Sequence, residues 1–411
     1  MMHYDVIPAT PAAQLLDDYR AGTSFFLSSP QRTLLAEGTY AVVPSQGGPD
    51  ELSRLPGRIA DLMGDARRAA SGTPVVVGAI PFDRAKPAHL IVPNTIRWGS
   101  PQRFDSPEAS AGAPTSPDYV IRPVPEPEQY ARGVERGIAR MKAGELDKVV
   151  LSRTLHLTSA SSVDVHQLLR SLARHNVHGY TFAVDTNDGP YYGSGPNAVS
   201  RPRIGKTMIG ASPELLVSRK GLHISSNPLA GSSPRSADPV EDRQRSANLL
   251  RSAKDRHEHA LVVDAVAAAL RPYCVKLDVP PEPSLVHTAT MWHLSSLVSG
   301  ELADPSISSM ELAAALHPTP AVCGSPTHMA RAVINDIEPF DRGFYTGMVG
   351  WCDANGDGEW IVTIRCAEVE GRSLRLFAGA GVVAESSAEA ELAETSAKFR
   401  TMLIALGLQH G

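Results

Sequence analysis

The stretch FYTGMVGWCDANGDGEWIVTIRCAEVEGRSLRLFAGAGVV, residues 344–383, contains three apolar runs of strand length separated by two polar turns. The first turn is a cluster of Asp, Asn and Gly at 353–358, which are residue types that favour tight turns. Apolar and aromatic runs between such turns predict an antiparallel meander of three strands. The Gly-free and Pro-free segment that follows predicts a final helix over about 387–406.

Upstream, the chain alternates helical and strand patterns from about residue 126. Apolar residues recur at helical spacing within 127–143, which predicts an amphipathic helix, and 238–270 predicts one long helix because it has neither Gly nor Pro after Pro239. Three apolar runs predict strands: DKVVLSRTLHL at 147–157, TFAVDT at 181–186 and LLVSR at 215–219. Strands that are apolar on both faces need cover on both sides, so the pattern favours an α+β fold with helices outside packed sheets.

Composition excludes several classes of protein. The chain has 411 residues, of which 42% are hydrophobic and 20% charged, so it is not a disordered protein. It has no apolar run long enough for a membrane span and no basic, apolar leader. A net charge of −5 without basic runs argues against a nucleic-acid surface. Four scattered Cys without CxxC spacing indicate a reducing cytoplasm.

The first 125 residues carry little functional information. Strand-like runs and one helical stretch near 50–70 are separated by Pro and Gly. The segment near 104–118 consists mostly of small and polar residues and is rich in Pro, which predicts a flexible surface loop. We interpret 1–125 as the N-terminal part of the same α/β unit, and 126–404 as its catalytic part.

Two predicted helices each carry two carboxylates three residues apart. They are Asp255 and Glu258 on the middle helix, and Glu391 and Glu394 on the last one. Residues at this spacing share a helix face, so each pair can point at one spot. Four carboxylates without Cys ligands suit Mg²⁺ shared with an anionic substrate. Lys398, one turn beyond Glu394, is placed to bind an anion beside it; the alternative is that both pairs simply face solvent.

Two further residues contrast with their apolar surroundings. Lys148 directly precedes the run Val-Val-Leu at a strand start, and Glu214 stands between apolar runs in IGASPELLV. A partly buried lysine is a candidate general base, and a buried glutamate that keeps its proton is a candidate general acid. The alternative for each residue is a position at the edge of its strand or sheet, from which the charged end of the side chain reaches water.

Taken together, the motifs of the chain resemble those of the chorismate-utilising enzymes, over about residues 126–404. The segments are DKVVLSR at 147–153, GASPELLV at 210–217, PLAGS at 228–232, KDRHEH at 254–259, MWHL at 291–294, HPTPAVCG at 317–324, RGFYTGMVG at 342–350, VTIRCAE at 362–368, FAGAGVV at 377–383 and AELAETSAKF at 390–399. Within that family the motifs are most similar to isochorismate synthases of catechol-siderophore pathways. The resemblance implies two large antiparallel sheets packed together, Mg²⁺ dependence, and isomerisation of chorismate by addition of water at C2 and loss of the C4 hydroxyl.

The resemblance also implies roles for individual residues. Lys148 matches the general base and Glu214 the general acid; Glu258 and Glu394 match metal ligands, with Asp255 and Glu391 acting beside them. The positions that match substrate-binding residues are Gly231, Ser232, His293, Ala321, Tyr345, Arg365, Gly379, Ala380, Gly381 and Lys398. Two positions depart from the family, since Asp255 stands for a more usual Glu and Ser232 for a more usual Thr. Salicylate-forming relatives tend to carry Thr where this chain has Ala321.

Four rival functions account for fewer of these residues. A salicylate synthase would go on to eliminate pyruvate. An amine-incorporating synthase would use ammonia, and Lys148 argues against it because ammonia needs no base. A metal-dependent phosphohydrolase would use the four carboxylates but would leave Lys148 and Glu214 unexplained, and a binding protein without activity would not need its catalytic positions filled. We expect a cytoplasmic monomer that binds chorismate, with no glutaminase partner, nucleic acid or membrane.

Overall fold

Residues 10–69, 73–101, 118–176, 179–186 and 205–408 are described by the structure, which is a computed structural model. The loop predicted near 104–118 lies outside these residues except for Asp118. The helices are α1 Ala12–Asp18, α2 Glu51–Ala69, α3 Pro127–Lys142, α4 Val165–His175, α5 Pro239–Arg251, α6 Ala253–Leu270, α7 Ser309–Leu316, α8 Thr327–Ile337 and α9 Ala388–Ala405. The predicted helices over 127–143 and 387–406 are therefore confirmed as α3 and α9.

The strands follow one another in chain order. They are β1 Ser24–Ser28, β2 Thr33–Glu37, β3 Ala41–Val42, β4 Val75–Ile80, β5 His89–Val92, β6 Thr95–Gly99, β7 Tyr119–Val124, β8 Lys148–Ser159, β9 Tyr180–Asp185, β10 Lys206–Ser212, β11 Leu215–Lys220, β12 His223–Asn227, β13 Leu229–Pro234, β14 Cys274–Asp278, β15 Ser284–His287, β16 Met291–Ser295, β17 Val298–Leu302, β18 Gly324–Ser325, β19 Met348–Asp353, β20 Gly358–Val362, β21 Cys366–Glu370 and β22 Ser373–Val382.

These strands form two large antiparallel sheets and one small one. The larger has ten strands, in the order β18-β8-β22-β21-β10-β9-β1-β2-β6 with β7 also paired to β8. The second has nine, in the order β14-β17-β12-β11-β20-β19-β4-β5-β3, and the small sheet is β13-β16-β15. Strands from before residue 100 lie in both large sheets. We therefore propose that the N-terminal part and the part from residue 126 form one structural unit.

Helices cover the outer faces of the packed sheets. Apolar residues of the two large sheets meet in one buried cluster, to which the larger sheet contributes Phe25 and Phe182 and the other contributes Val77 and Trp351. Helices α1, α4 and α9 pack on the outer face of the larger sheet, and α2, α6 and α7 pack on the other. This arrangement is the α+β fold that the sequence predicted.

The predicted C-terminal meander is wrong in one respect. The run EWIVTIRCAEV is not one strand, because β20 pairs with β19 in the nine-stranded sheet and β21 pairs with β22 in the ten-stranded sheet. The chain crosses between the sheets at Arg365, whose φ of 50° interrupts the extended backbone. The result is two hairpins in two sheets, with Arg365 at the crossing.

The predicted helix over 238–270 is also wrong, because it is two helices. Ser252 has an extended backbone between α5 and α6, and its side chain accepts a hydrogen bond from the Asp255 amide. A serine that satisfies a free amide in this way is a favourable start for a helix. The break gives α6 its own first turn, with Asp255 inside it and Glu258 one turn further along.

Candidate active site

A cavity lies where the small sheet, β22, α6 and α9 come together, and most of the predicted site residues line it. From the predicted set, its lining residues are Glu214, Gly231, Ser232, Glu258, His293, Ala321, Tyr345, Arg365, Gly379, Gly381, Glu394 and Lys398. Lys148, Asp255, Glu391 and Ala380 lie outside this lining. Gly379 and Gly381, the residues on either side of Ala380, do line the cavity.

Lys148 lies directly behind the cavity wall, against Glu258. The Lys148 side chain is completely buried, and its Nζ is 2.9 Å from Glu258 Oε1. Burial opposes ionisation of Glu258, but the nearby lysines Lys148, Lys254 and Lys398 together outweigh it and lower the pKa of that carboxyl. Gly381 permits this arrangement, because a Cβ at that position would overlap the Glu258 carboxylate. The pair therefore depends on a glycine in β22.

Three polar side chains form a chain of hydrogen bonds along another wall. Ser232 Oγ is 2.8 Å from His293 Nδ1, and Arg365 Nη2 donates to His293 Nε2 at 3.1 Å. Burial and two nearby cations hold the pKa of His293 well below its usual range, so the ring is neutral. Since Arg365 can only donate, Nε2 is the acceptor and Nδ1 carries the proton that goes to Ser232 Oγ. The Ser232 hydroxyl hydrogen is then free to donate to a ligand.

Tyr345 and Lys398 are held at the β22 side of the cavity. Tyr345 stacks on Phe377 with ring centroids 4.8 Å apart, and its hydroxyl is 3.3 Å from Ser152 Oγ. Lys398 Nζ donates to the Gly379 carbonyl at 2.8 Å and lies 2.6 Å from Glu394 Oε1. The cationic groups of Arg365 and Lys398 thus border one cavity, which suits a ligand with more than one carboxylate.

Glu214 has the environment of a proton donor. Its side chain is 3% exposed, and burial raises its pKa to about 7 against the opposing effect of nearby cations. The residue stands between β10 and β11, and the Leu229 amide donates to its carboxylate. A carboxyl group with this pKa is protonated in a large fraction of molecules near neutral pH.

The four predicted carboxylates lie in one neighbourhood. Burial, together with repulsion from Glu394, raises the pKa of Glu391 to about 7 even though Lys254 Nζ lies 2.9 Å away. Burial also raises the pKa of Asp255, with added repulsion from Glu258 and Glu394. Among the residues that the structure describes, no group of three or more His, Cys, Asp or Glu side chains is arranged to hold a metal ion. The donor set is nevertheless suitable for Mg²⁺, because mutually repelling carboxylates are relieved by a hard divalent cation.

Comparison with known proteins identifies the family. A family model described as chorismate binding enzyme matches residues 94–407. This chain belongs to the chorismate-binding enzyme family. It is 58% identical to isochorismate synthase DhbC of Bacillus subtilis over the full length of both chains, and 41% identical to the vibriobactin-specific isochorismate synthase of Vibrio cholerae over 97% of this chain and 95% of that one.

A solved structure supports the same assignment at the level of the fold. The crystal structure of DhbC from Bacillus anthracis has a TM-score of 0.89 and 53% identity to this chain, covering 97% of this chain and 100% of that one. No helix in the described part of this chorismate-binding enzyme is long and apolar enough to cross a membrane.

Two residues that hold the site of this chorismate-binding enzyme together were not predicted from the sequence. His259 is buried, with Nδ1 3.2 Å from the Ala230 carbonyl and Nε2 2.9 Å from Ser296 Oγ, and so it fixes the strand that carries Gly231 and Ser232. Lys254 pairs with Glu391 across two helices. Both residues stand inside the motif KDRHEH, but their partners are remote in the chain, and local spacing contains no signal for them.

Proposed function

We propose that this enzyme is an isochorismate synthase, an isomerase that converts chorismate to isochorismate. The observation that supports this most directly is that one cavity is lined by Glu214, a buried carboxyl of raised pKa, and by the cations Arg365 and Lys398. Chorismate offers matching groups, namely two carboxylates and a hydroxyl that leaves. The names of the relatives described above agree with this activity, and their high identity over full length extends it to this chain.

Binding of chorismate is proposed to use groups on opposite sides of the cavity. Arg365 and Tyr345 hold the enolpyruvyl carboxylate, because a guanidinium can donate two parallel hydrogen bonds to it. The backbone from Gly379 to Gly381, including Ala380, borders the same carboxylate. Gly231, Ser232 and His293 face the ring carboxylate or the leaving hydroxyl, and Lys398 supports either anion.

The proton transfers are proposed to use Lys148 and Glu214. Lys148, as the neutral amine, accepts a proton from the water whose oxygen bonds to C2. The ring double bonds shift, the C4–O bond breaks, and Glu214 gives its proton to the departing hydroxide, which leaves as water. The number of atoms is unchanged overall, and the proton gained by Lys148 returns to Glu214 through solvent before the next turnover. Positioned acids and bases of this kind contribute about 10²–10⁴-fold each.

Mg²⁺ is the proposed cofactor. Glu258 and Glu394 line the cavity and are its proposed ligands, while Asp255 and Glu391 lie outside the lining and act beside them. When bound, the ion would neutralise and orient the ring carboxylate of chorismate. The chain's own contribution is to keep four carboxylates close together against their mutual repulsion. Lys148, Lys254 and Lys398 are each paired to one of them.

We further propose the cellular setting. All four Cys are free, which suits the cytoplasm. The siderophore-related names among the relatives support supply of isochorismate for 2,3-dihydroxybenzoate siderophores, with menaquinone synthesis as the alternative. We propose that the enzyme is a monomer. We also propose that it has no glutaminase partner, because water and not ammonia is the nucleophile.

One experiment tests the activity. The purified enzyme is incubated with chorismate and Mg²⁺, and the products are separated by chromatography. Isochorismate as the main product supports the proposal. Salicylate with pyruvate would assign a salicylate synthase, anthranilate formed with ammonia would assign an amine-incorporating enzyme, and unchanged chorismate would contradict all three.

A further inference from the structure

Beneath the cavity lies a buried ion pair that joins several parts of its wall. Glu338 directly follows α8, and Arg342 is four residues later; both side chains are 2% exposed. Arg342 Nε donates to Glu338 Oε2 at 2.9 Å, and Nη2 donates to Oε1 at 2.5 Å. This fork-to-fork geometry is the strongest form of a carboxylate–guanidinium contact.

The remaining donors of Arg342 bind the backbone of two separate segments of the wall. Its Nη1 donates to the Val322 carbonyl at 2.8 Å, and its Nη2 donates to the Val150 carbonyl at 2.7 Å. Val322 and Val150 both line the cavity. Val322 directly follows Ala321, and Val150 is two residues beyond Lys148. One side chain thus connects the strand that carries the candidate base with the loop that carries Ala321.

Glu338 binds the wall at another point. Its Oε1 accepts a hydrogen bond of 2.7 Å from the Ser152 amide, and Ser152 Oγ is in turn 3.3 Å from the Tyr345 hydroxyl. The Tyr345 amide also donates to the Arg342 carbonyl at 2.9 Å. The Tyr345 hydroxyl is therefore linked to the pair through Ser152, and the Tyr345 backbone is held by the Arg342 carbonyl.

From these contacts we propose that Glu338 and Arg342 are positioning residues of the isomerase. They touch no substrate, and they set the distance between the strand of Lys148, the loop of Ala321 and the phenol of Tyr345. The inference rests on the proposed function, because it assigns a catalytic consequence to this geometry. A misplacement of about 1 Å in reacting groups can cost ~100-fold in rate, which is the size of effect expected here.

The test asks whether the pair positions the cavity wall or only balances two buried charges. Glu338→Gln with Arg342→Met removes both charges and keeps approximate size, and neutral replacement of a buried pair usually preserves stability. It also removes the donors to Val322 and Val150. Because the Val322 and Val150 carbonyls lose their donors, we expect the double variant to stay folded with a lower unfolding temperature. We also expect it to lose roughly 100-fold in kcat/KM, with both a lower kcat and a higher KM for chorismate.

A second variant keeps the test decisive if the double variant does not fold. Arg342→Lys retains the charge but cannot span the same acceptors, because an ammonium lacks the fork. Its matched control is Arg219→Lys, since Arg219 is also buried and donates to two carbonyls, of Asn355 and Pro305, away from the cavity. At a temperature where both are folded, Arg342→Lys should lose at least tenfold in kcat/KM and Arg219→Lys should not.

The outcomes distinguish this inference from the proposed function. A wild-type enzyme that does not turn over chorismate overturns the proposed function itself. If the wild type is active and the folded Glu338/Arg342 variants keep its kcat and KM, the pair is only structural and the positioning inference is wrong.

Discussion

Lys148 Nζ lies 2.9 Å from Glu258 Oε1; both side chains are buried, Glu258 in the cavity wall and Lys148 directly behind it. The sequence motifs assign these two residues to separate roles, a base and a metal ligand, whereas the structure makes them partners. Removing one partner of a buried ion pair lowers the stability of the protein by about 3–5 kcal/mol, because the other charge is left without compensation. Mutations at either residue therefore need a stability measurement beside the kinetic one.

The first prediction concerns Lys148→Ala. We expect turnover to fall by about 10²–10⁴-fold, because water loses its base, and the unfolding temperature to fall because Glu258 is left buried and charged. Turnover is measured by product chromatography and unfolding by calorimetry. Lys206→Ala is the control, since Lys206 pairs with Glu368 on the same sheet outside the cavity lining. A folded Lys148→Ala enzyme with half the wild-type activity would exclude Lys148 as the base.

The second prediction concerns the pH dependence that Glu214 imposes. Its pKa is raised by burial to about 7, and the proposed acid works only when protonated. We therefore expect kcat/KM to pass through a maximum: it falls at low pH, where the proposed base Lys148 holds a proton, and it declines above about pH 7, as Glu214 loses its proton. Glu214→Gln should lose most of the activity and also this decline. A wild-type profile that keeps rising through pH 8 would argue against Glu214 as the acid.

The third prediction concerns Mg²⁺. Glu258→Gln and Glu394→Gln should each weaken Mg²⁺ binding measured by titration calorimetry, because a neutral amide replaces a hard anionic ligand. Glu389→Gln, an exposed position in the first turn of α9, is the control and should bind like the wild type. EDTA should silence the wild-type enzyme and added Mg²⁺ should restore it. Full activity after thorough chelation would mean that the carboxylates only stabilise the helices.

The fourth prediction concerns where the reaction stops. Ala321 lines the cavity with a methyl group, which offers the enolpyruvyl arm no hydrogen bond. We expect isochorismate as the main product with salicylate at trace level, and Ala321→Thr should raise the salicylate fraction. Ala321→Val is the matched control, because valine has nearly the shape of threonine without the hydroxyl. An equal rise with valine would show that bulk, and not hydrogen bonding, decides the product.

Sequence patterns predicted helices α3 and α9 because local periodicity and an absence of breakers are enough to define them. They failed at Arg365, where a positive φ in a non-glycine residue is imposed by the crossing between two sheets and leaves no local trace. The break at Ser252 did have a local signal, a serine that caps the next turn. The residues of the cavity came from family motifs. The ion pairs of Lys148 and Lys254, and the hydrogen bonds of Arg342 to the cavity wall, join remote segments that only the folded chain brings together.

The last prediction concerns a buried carboxyl outside the active site. Glu359 lies in β20, is 7% exposed, and burial raises its pKa to about 7 although Ser29 and Arg32 oppose this. Within the described part of the chain its Oε1 has no hydrogen-bond partner. Because the folded-state pKa is higher than the unfolded one, the group stabilises the fold at low pH, and this contribution is lost as the pH rises through about 7.

Glu359→Gln cannot ionise and should escape that loss. The variant should therefore gain stability relative to the wild type by roughly 2–3 kcal/mol between pH 5 and pH 8, from 1.36 kcal/mol per unit of pKa shift. The measurement is urea unfolding at both pH values, with Glu301→Gln, an exposed residue of β17, as the control that should show no change. The pH profile of activity of the Glu359→Gln variant should keep the decline above pH 7 that we assign to Glu214, since Glu359 does not line the cavity. A stability difference that is the same at both pH values would mean that Glu359 ionises in the folded protein as easily as in the unfolded one.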